Sequence, residues 1–256
     1  MRSIAVVVAL FILGVATFGV SIIHALPESA AYAMECSEKY APSDPGHYDI
    51  PNPYGQNQEI TLNLTKDDYE HSMNRSVMRC GTIMVSSANL MIEPDNEYVK
   101  SIGKQILEMT EGMSDREKAT VALRFVQEEI SYLSDEQLYG CKEFWAYPTE
   151  TLYLHKGDCE DKSILLCSIL LSMGYDSVLL DYPGHIAVGV RFEGDNALPD
   201  GSYFYCETTI PSDIGQGVSN DMIPAIVKPG DIGLIPELIN NGIAEYRNFI
   251  QRIFKI

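Results

Sequence analysis

Positive charge is scarce in this chain. Its 256 residues hold 18 Lys and Arg against 36 Asp and Glu, a formal net charge of −18 at pH 7. So acidic a chain repels a phosphate backbone, and nucleic acid is excluded as an expected partner. The same charge suits a protein kept soluble at a cell surface or in an extracellular medium. No block of like charge stands out, so the acid reads as solvated surface rather than an interaction tail. Paired metal-binding motifs are also missing. Six cysteines and five histidines include no Cys-x-x-Cys and no His-x-x-x-His. A zinc site built from His155, Cys159, His185 and Cys206 therefore has no spacing to support it, and neither a metal nor an organic cofactor is expected. Tryptophan occurs once, at Trp145.

An apolar run long enough to span a bilayer occurs in one place, Ile4 to Ile23, with only Arg2 before it. Ala31-Tyr32-Ala33 downstream has the small-x-small form of a signal-peptidase site. Residues 1–25 thus read as a signal or anchor segment, cleaved or retained, with the remainder outside the cytoplasm, anchored or secreted. Membrane contact is expected through this segment alone. Residues 26–56 carry five of the thirteen prolines and read as an extended spacer. In residues 57–93, Ile60, Leu62 and Leu64 alternate with polar residues, and Val77 to Val85 suggests a second strand. This segment reads as a small β appendage. Asn63-Leu64-Thr65 and Asn74-Arg75-Ser76 match glycosylation acceptors.

Residues 94–256 read as the main domain. Asp95 to Met109 has a capping residue and apolar residues at helical spacing. Ser114 with Glu117 three residues later predicts a capping box, followed by an apolar stripe of Ala119, Leu123, Val126 and Ile130. A loop is expected from Ser134 to His155. Trp145 and Tyr147 within it read as loop-pinning aromatics or as a wall of a substrate cleft. The C-terminus suggests a helix from Leu238 to Phe254.

The stretch from Gly157 to Gly174 organises the domain. Gly157 predicts a sharp entry, Asp158 an N-cap, and Gly174 a C-terminal stop. Ile164 to Met173 is apolar around nearly the whole circumference, as in a buried central helix. Cys159 stands on its first turn, at the positive end of the helix dipole, where thiolate is favoured. The acidic neighbours Asp158, Glu160 and Asp161 oppose that effect. Cys167, deeper in the helix, reads as a core residue. The base expected for Cys159 is His185, which opens the strand pattern His185–Val190. His155 is the alternative. His185, Ala187 and Gly189 share one strand face, and two such small residues would admit a helix end. Glu207 closes the next strand pattern, Ser202 to Thr209, and would orient the imidazole. The fold class expected is α+β, with a central Cys-bearing helix packed on an antiparallel sheet. Cys36, Cys80, Cys141 and Cys206 then remain, as two disulfides in any of three pairings or as free thiols.

Gly157-Asp158-Cys159 opening a helix, Gly184-His185 on a strand and Glu207-Thr208-Thr209 closing another, 26 and 22 residues apart, resemble the transglutaminase-like superfamily in its compact microbial form. The resemblance spans residues 94–212. It implies a papain-like core and acyl transfer on amides of peptides or proteins, cell-wall peptides among them, by a peptidase, amidase or transglutaminase. Glu207 stands where the family usually has aspartate. A non-catalytic surface module that keeps the fold is the alternative expectation.

Overall fold

The structure is a computed structural model and describes residues 39–75, 90–140, 142–192, 203–217 and 224–229. The run Ile4–Ile23, the strand expected at Val77–Val85, the helix expected at Leu238–Phe254, and Cys36, Cys80 and Cys141 lie outside the described residues. Helices and strands are mixed as in an α+β protein. In chain order the elements are β1 (His47–Ile50), β2 (Gln58–Thr61), α1 (Lys66–Met73), α2 (Glu97–Met109), α3 (Asp115–Glu129), β3 (Ser131–Tyr132), α4 (Asp135–Leu138), α5 (Pro148–Leu154), β4 (Lys156–Gly157), α6 (Cys159–Ser172), β5 (Ser177–Tyr182), β6 (His185–Val190), β7 (Phe204–Cys206) and β8 (Ala225–Val227).

The cysteine helix is α6. Ile164, Leu165, Leu166, Cys167, Ile169 and Leu170 have no exposure, so apolar contact surrounds it as its composition predicts. The serines inside this apolar length are satisfied: Ser172 Oγ donates to Ile169 O. Ser168 Oγ donates to Ile164 O and accepts from Glu93 N–H. The helix ends as Gly174 requires. Gly174 adopts φ +93° and donates to Leu171 O, while Tyr175 N–H reaches Leu170 O. These two bonds form a Schellman closure.

Helices α2, α3 and α5 and strands β5 and β6 pack against α6, and the sheet runs in the order β7-β6-β5-β8 with every pair antiparallel. The capping box at Ser114 and Glu117 is present. Helix α2 is capped by Asn96, one residue after the expected Asp95. The hairpin joining β5 to β6 turns through Pro183-Gly184, with Gly184 at φ +75°, a pairing typical of a type II turn.

Three expectations change. The stretch read as spacer contains β1, which pairs with β2 and buries Tyr48 and Ile50 completely. Tyr48 OH donates to Leu152 O, 104 residues away. Residues 57–75 add a helix, α1, whose mostly polar sequence carries little periodic signal beyond the capping pair Thr65 and Asp68. Both segments join the same hydrophobic core as α2, α3 and α6, so residues 56 and 93 do not divide the packing. Prolines oppose regular structure only where they stand, and 47–50 falls between them. Finally, the loop expected at Ser134–His155 contains α4 and α5. Pro148 starts α5, because proline at the first helical position costs no hydrogen bond, and Glu150 Oε2 accepts from the N–H of the N-cap residue Tyr147.

Candidate active site

Cys159 is the first residue of α6, and Asp158 is its N-cap. Gly157 serves close approach rather than a sharp turn, since a Cβ there would lie 2.6 Å from Asp161 Cβ. The two-residue parallel pairing of β3 with β4 holds this entry, setting Tyr132 opposite Gly157. Cys159, Tyr132, Trp145 and His185 line one open cleft of about 810 Å³.

His185 begins β6 and Glu207 directly follows β7, so adjacent strands bring the two side chains together. His185 Nε2 and Glu207 Oε2 lie 3.0 Å apart. The carboxylate is held from every side. Tyr205 OH donates to Oε2 at 2.6 Å, and the Thr209 N–H and hydroxyl donate to Oε1 at 2.9 and 2.7 Å. Gln127 Nε2 donates to the Glu207 carbonyl. Burial by itself would raise the Glu207 carboxyl, but these bonds from His185, Tyr205 and Thr209 prevail and hold it at about 2. The bond to Glu207 in turn raises the His185 pKa against the opposing effect of burial.

The face of β6 that meets α6 differs from expectation. Ile186, Val188 and Val190 belong to the core that includes α6, whereas Ala187 packs with Val178, Leu180, Tyr203 and Tyr205 in a second cluster. The small size of Gly189 serves that second cluster. A Cβ there would come within 3.0 Å of Tyr203 Cβ and Val178 Cγ2. The α6 terminus instead docks on β6 where β7 has ended. Ser163 Oγ donates to Ile186 O at 3.0 Å and lies 3.2 Å from Thr208 Oγ1. The Ile186 backbone also forms a hydrogen bond to Cys159 that favours thiolate. Ser163, one turn after Cys159, thereby satisfies the Ile186 carbonyl at the point where β7 has ended.

Cys159 Sγ donates to Glu160 Oε2 at 2.7 Å, and no hydrogen bond joins it to His185. Burial, followed by the charge of Glu160, pushes the thiol well above its usual range. Asp158 and Asp135 are raised to about 10 and about 9, chiefly by burial and then by neighbouring carboxylates. Lys162, buried in the same helix, donates to Ile130 O, and burial lowers it to about 8.

The other sequence candidates separate. Trp145 is buried and lines the cleft, while Tyr147 is buried as the N-cap of α5, with the Arg75 guanidinium 3.6 Å over its ring, and does not line the cleft. His155 is stacked on Tyr48 at 4.2 Å with its Nε2 3.2 Å from Pro45 O, so it is not in place as the base or as a ligand beside Cys159. Cys206 is a buried free thiol among the described residues, like Cys167. Tyr205 and Gln127 were not read from the sequence, nor was Thr209 as a donor to Glu207, whereas Glu160 acts on the Cys159 thiol in the direction expected of an acidic neighbour. Tyr205 had a signal, since it stands two residues before Glu207 on the same strand face. No model of a known protein family matches this chain, and no curated protein matches it.

Proposed function

We propose that the protein is a cysteine acyltransferase or hydrolase acting on amide bonds of peptides or proteins, with Cys159 as nucleophile, His185 as base and Glu207 as its orienting carboxylate. One observation carries it: a Glu207 carboxyl hydrogen-bonded by Tyr205 and Thr209 holds His185 Nε2 in the same cleft that contains Cys159 at the start of a buried helix. With Nε2–H engaged, Nδ1 is the free basic nitrogen. Taking the thiol proton on Nδ1 requires Cys159 to leave Glu160. The thiolate attacks the carbonyl carbon, and the Cys159 N–H, without an intrahelical acceptor at that position, donates to the oxyanion. The C–N bond breaks as His185 gives its proton to the leaving amine. The resulting thioester is resolved by water or by a second amine. A transglutaminase-like, papain-like core is consistent with helix, sheet and the order of these residues. The chain is read as exported by its leader and anchored or secreted, with a peptide or protein substrate.

A second reading has its own observation. The Cys159–Glu160 hydrogen bond and the raised thiol suit a non-catalytic binding module that retains the fold. Iodoacetamide at mildly acidic pH separates the two. Selective alkylation of Cys159 is expected for the enzyme, and no preference over other thiols refutes it. Incubation with peptide mixtures, with and without a primary amine, then distinguishes hydrolysis from transamidation by product mass.

A further inference from the structure

Behind the first turn of α6 three aspartates converge. Asp135 opens α4, Asp158 caps α6, and Asp161 stands on its first turn. They are 1%, 8% and 0% exposed. A carboxylate oxygen from each lies within 4.8 Å of the others. Two of them are aimed by backbone amides. Phe144 N–H donates to Asp135 Oδ2, and Ala146 N–H donates to Asp161 Oδ1. The opposite oxygens, Asp135 Oδ1 and Asp161 Oδ2, are buried with no hydrogen-bond partner, and so is Asp158 Oδ1. Buried polar atoms are ordinarily paired, so three orphaned oxygens in one cluster require an explanation. The buried cation of the same helix, Lys162, is committed to Ile130 O and to the field of Glu207. Gly157 keeps space open here, since a side chain would meet Asp161 Oδ2 at 3.1 Å.

We propose that Asp135, Asp158 and Asp161 bind one hard divalent cation of the calcium or magnesium class, which ties α4 and the 143–146 segment to the start of α6. The three side chains offer only oxygen, the donor such cations prefer over the nitrogen and sulfur favoured by zinc or copper. Carboxylates whose second oxygen is fixed by a backbone N–H are oriented ligands of the kind metal sites use. The site departs from the sequence expectation of no metal. Its ligands come from two elements and follow no metal motif, so spacing offered no sign of it. It is separate from the acyl-transfer proposal, and its test does not depend on activity.

The probes are Ca²⁺, Mg²⁺ and Tb³⁺ added to the full chain in detergent after chelation. Trp145 is the only tryptophan and lines the same cleft as Asp135 and Asp158, so it serves as an antenna for Tb³⁺. Tryptophan-sensitised Tb³⁺ luminescence that Ca²⁺ or Mg²⁺ displaces is expected. The melting midpoint should rise by about 5–10 °C at a hundredfold excess of the bound cation over its Kd, and return with chelator. Asp161→Asn and Asp135→Asn should each weaken binding at least about tenfold, because one of three charged ligands is lost. Wild-type protein with no sensitised signal and an unchanged melt overturns the proposal without any variant. Luminescence that survives both substitutions puts the ion elsewhere and overturns it too.

Discussion

Two groups of buried carboxylates meet at this cleft and behave in opposite ways. Glu207 accepts from His185, Tyr205 and both donors of Thr209, and its carboxyl is held at about 2. Asp135 and Asp158, buried to a similar degree, are raised to about 9 and about 10. Burial opposes charge in both places, so burial does not explain the difference. Donors do: Glu207 has four, whereas Asp135 has one, the Phe144 N–H on Oδ2, and Asp135 Oδ1 and Asp158 Oδ1 have none and lie among other carboxylates. A buried acid is therefore an anion where the fold brings N–H and O–H groups to it, and is otherwise a site for a proton or a cation. Cys159 stands between the two groups, hydrogen-bonded toward the unsatisfied side through Glu160 and sharing a cleft with the satisfied side through His185.

The comparison is broken most completely by Cys159→Ala. Turnover and the iodoacetamide adduct, read by intact mass, should both disappear while the melting midpoint stays near wild type. The next effect comes from the satisfied side. Glu207→Gln should lower kcat by about 10²–10⁴, because an amide can present the wrong partner to Nε2. Glu207→Asp should stay within about tenfold, ~1.4 kcal/mol in the barrier. Wild-type kinetics in Glu207→Gln would remove Glu207 from the site.

The same variant has a pH signature. The Glu207 carboxyl lies below its ordinary value of 4.5, so its stabilisation is complete above that value and is lost as pH falls through about 2. His185 is raised from 6.5, so its contribution is complete below that pH and is lost as pH rises through the folded value. Melting midpoints of wild type minus Glu207→Gln, measured across pH, should therefore be largest between these two limits. A flat difference would mean that the pair does not titrate as a unit.

Smaller effects sharpen the contrast. Glu160→Gln removes the negative acceptor of the thiol and should speed Cys159 alkylation by about tenfold, the equivalent of one pKa unit. An unchanged rate would mean that Glu160 does not restrain the sulfur. Tyr205→Phe deletes one of the four donors to Glu207. Its expected cost is about 1 kcal/mol, a several-fold fall in kcat with little change in KM. A change confined to KM would assign Tyr205 to substrate binding instead.

Sequence by itself determined the parts whose cause is local. The capping box at Ser114, the glycine closure at Gly174, the all-round apolar length of α6 and the strand at His185–Val190 depend on neighbours within a few residues, and those neighbours were readable. The positions of Cys159 and His185 at the starts of their elements, and of Glu207 just past the end of its strand, were readable for the same reason, since those elements have a clear period. Tertiary structure decided what lies across the chain. Strand β1 is a strand because β2 pairs with it and the α-helical core covers Tyr48 and Ile50. Past the end of β7, the Ile186 carbonyl is satisfied by Ser163 of α6, a partner 23 residues away in the chain. The states of the acids were decided in the same way. Glu207 and Asp158 look alike in sequence, each an acid at the end of an element. Only packing reveals that one is surrounded by donors and the other by carboxylates, because the electrostatic free energy of a buried charge depends on groups that the chain brings from distant positions.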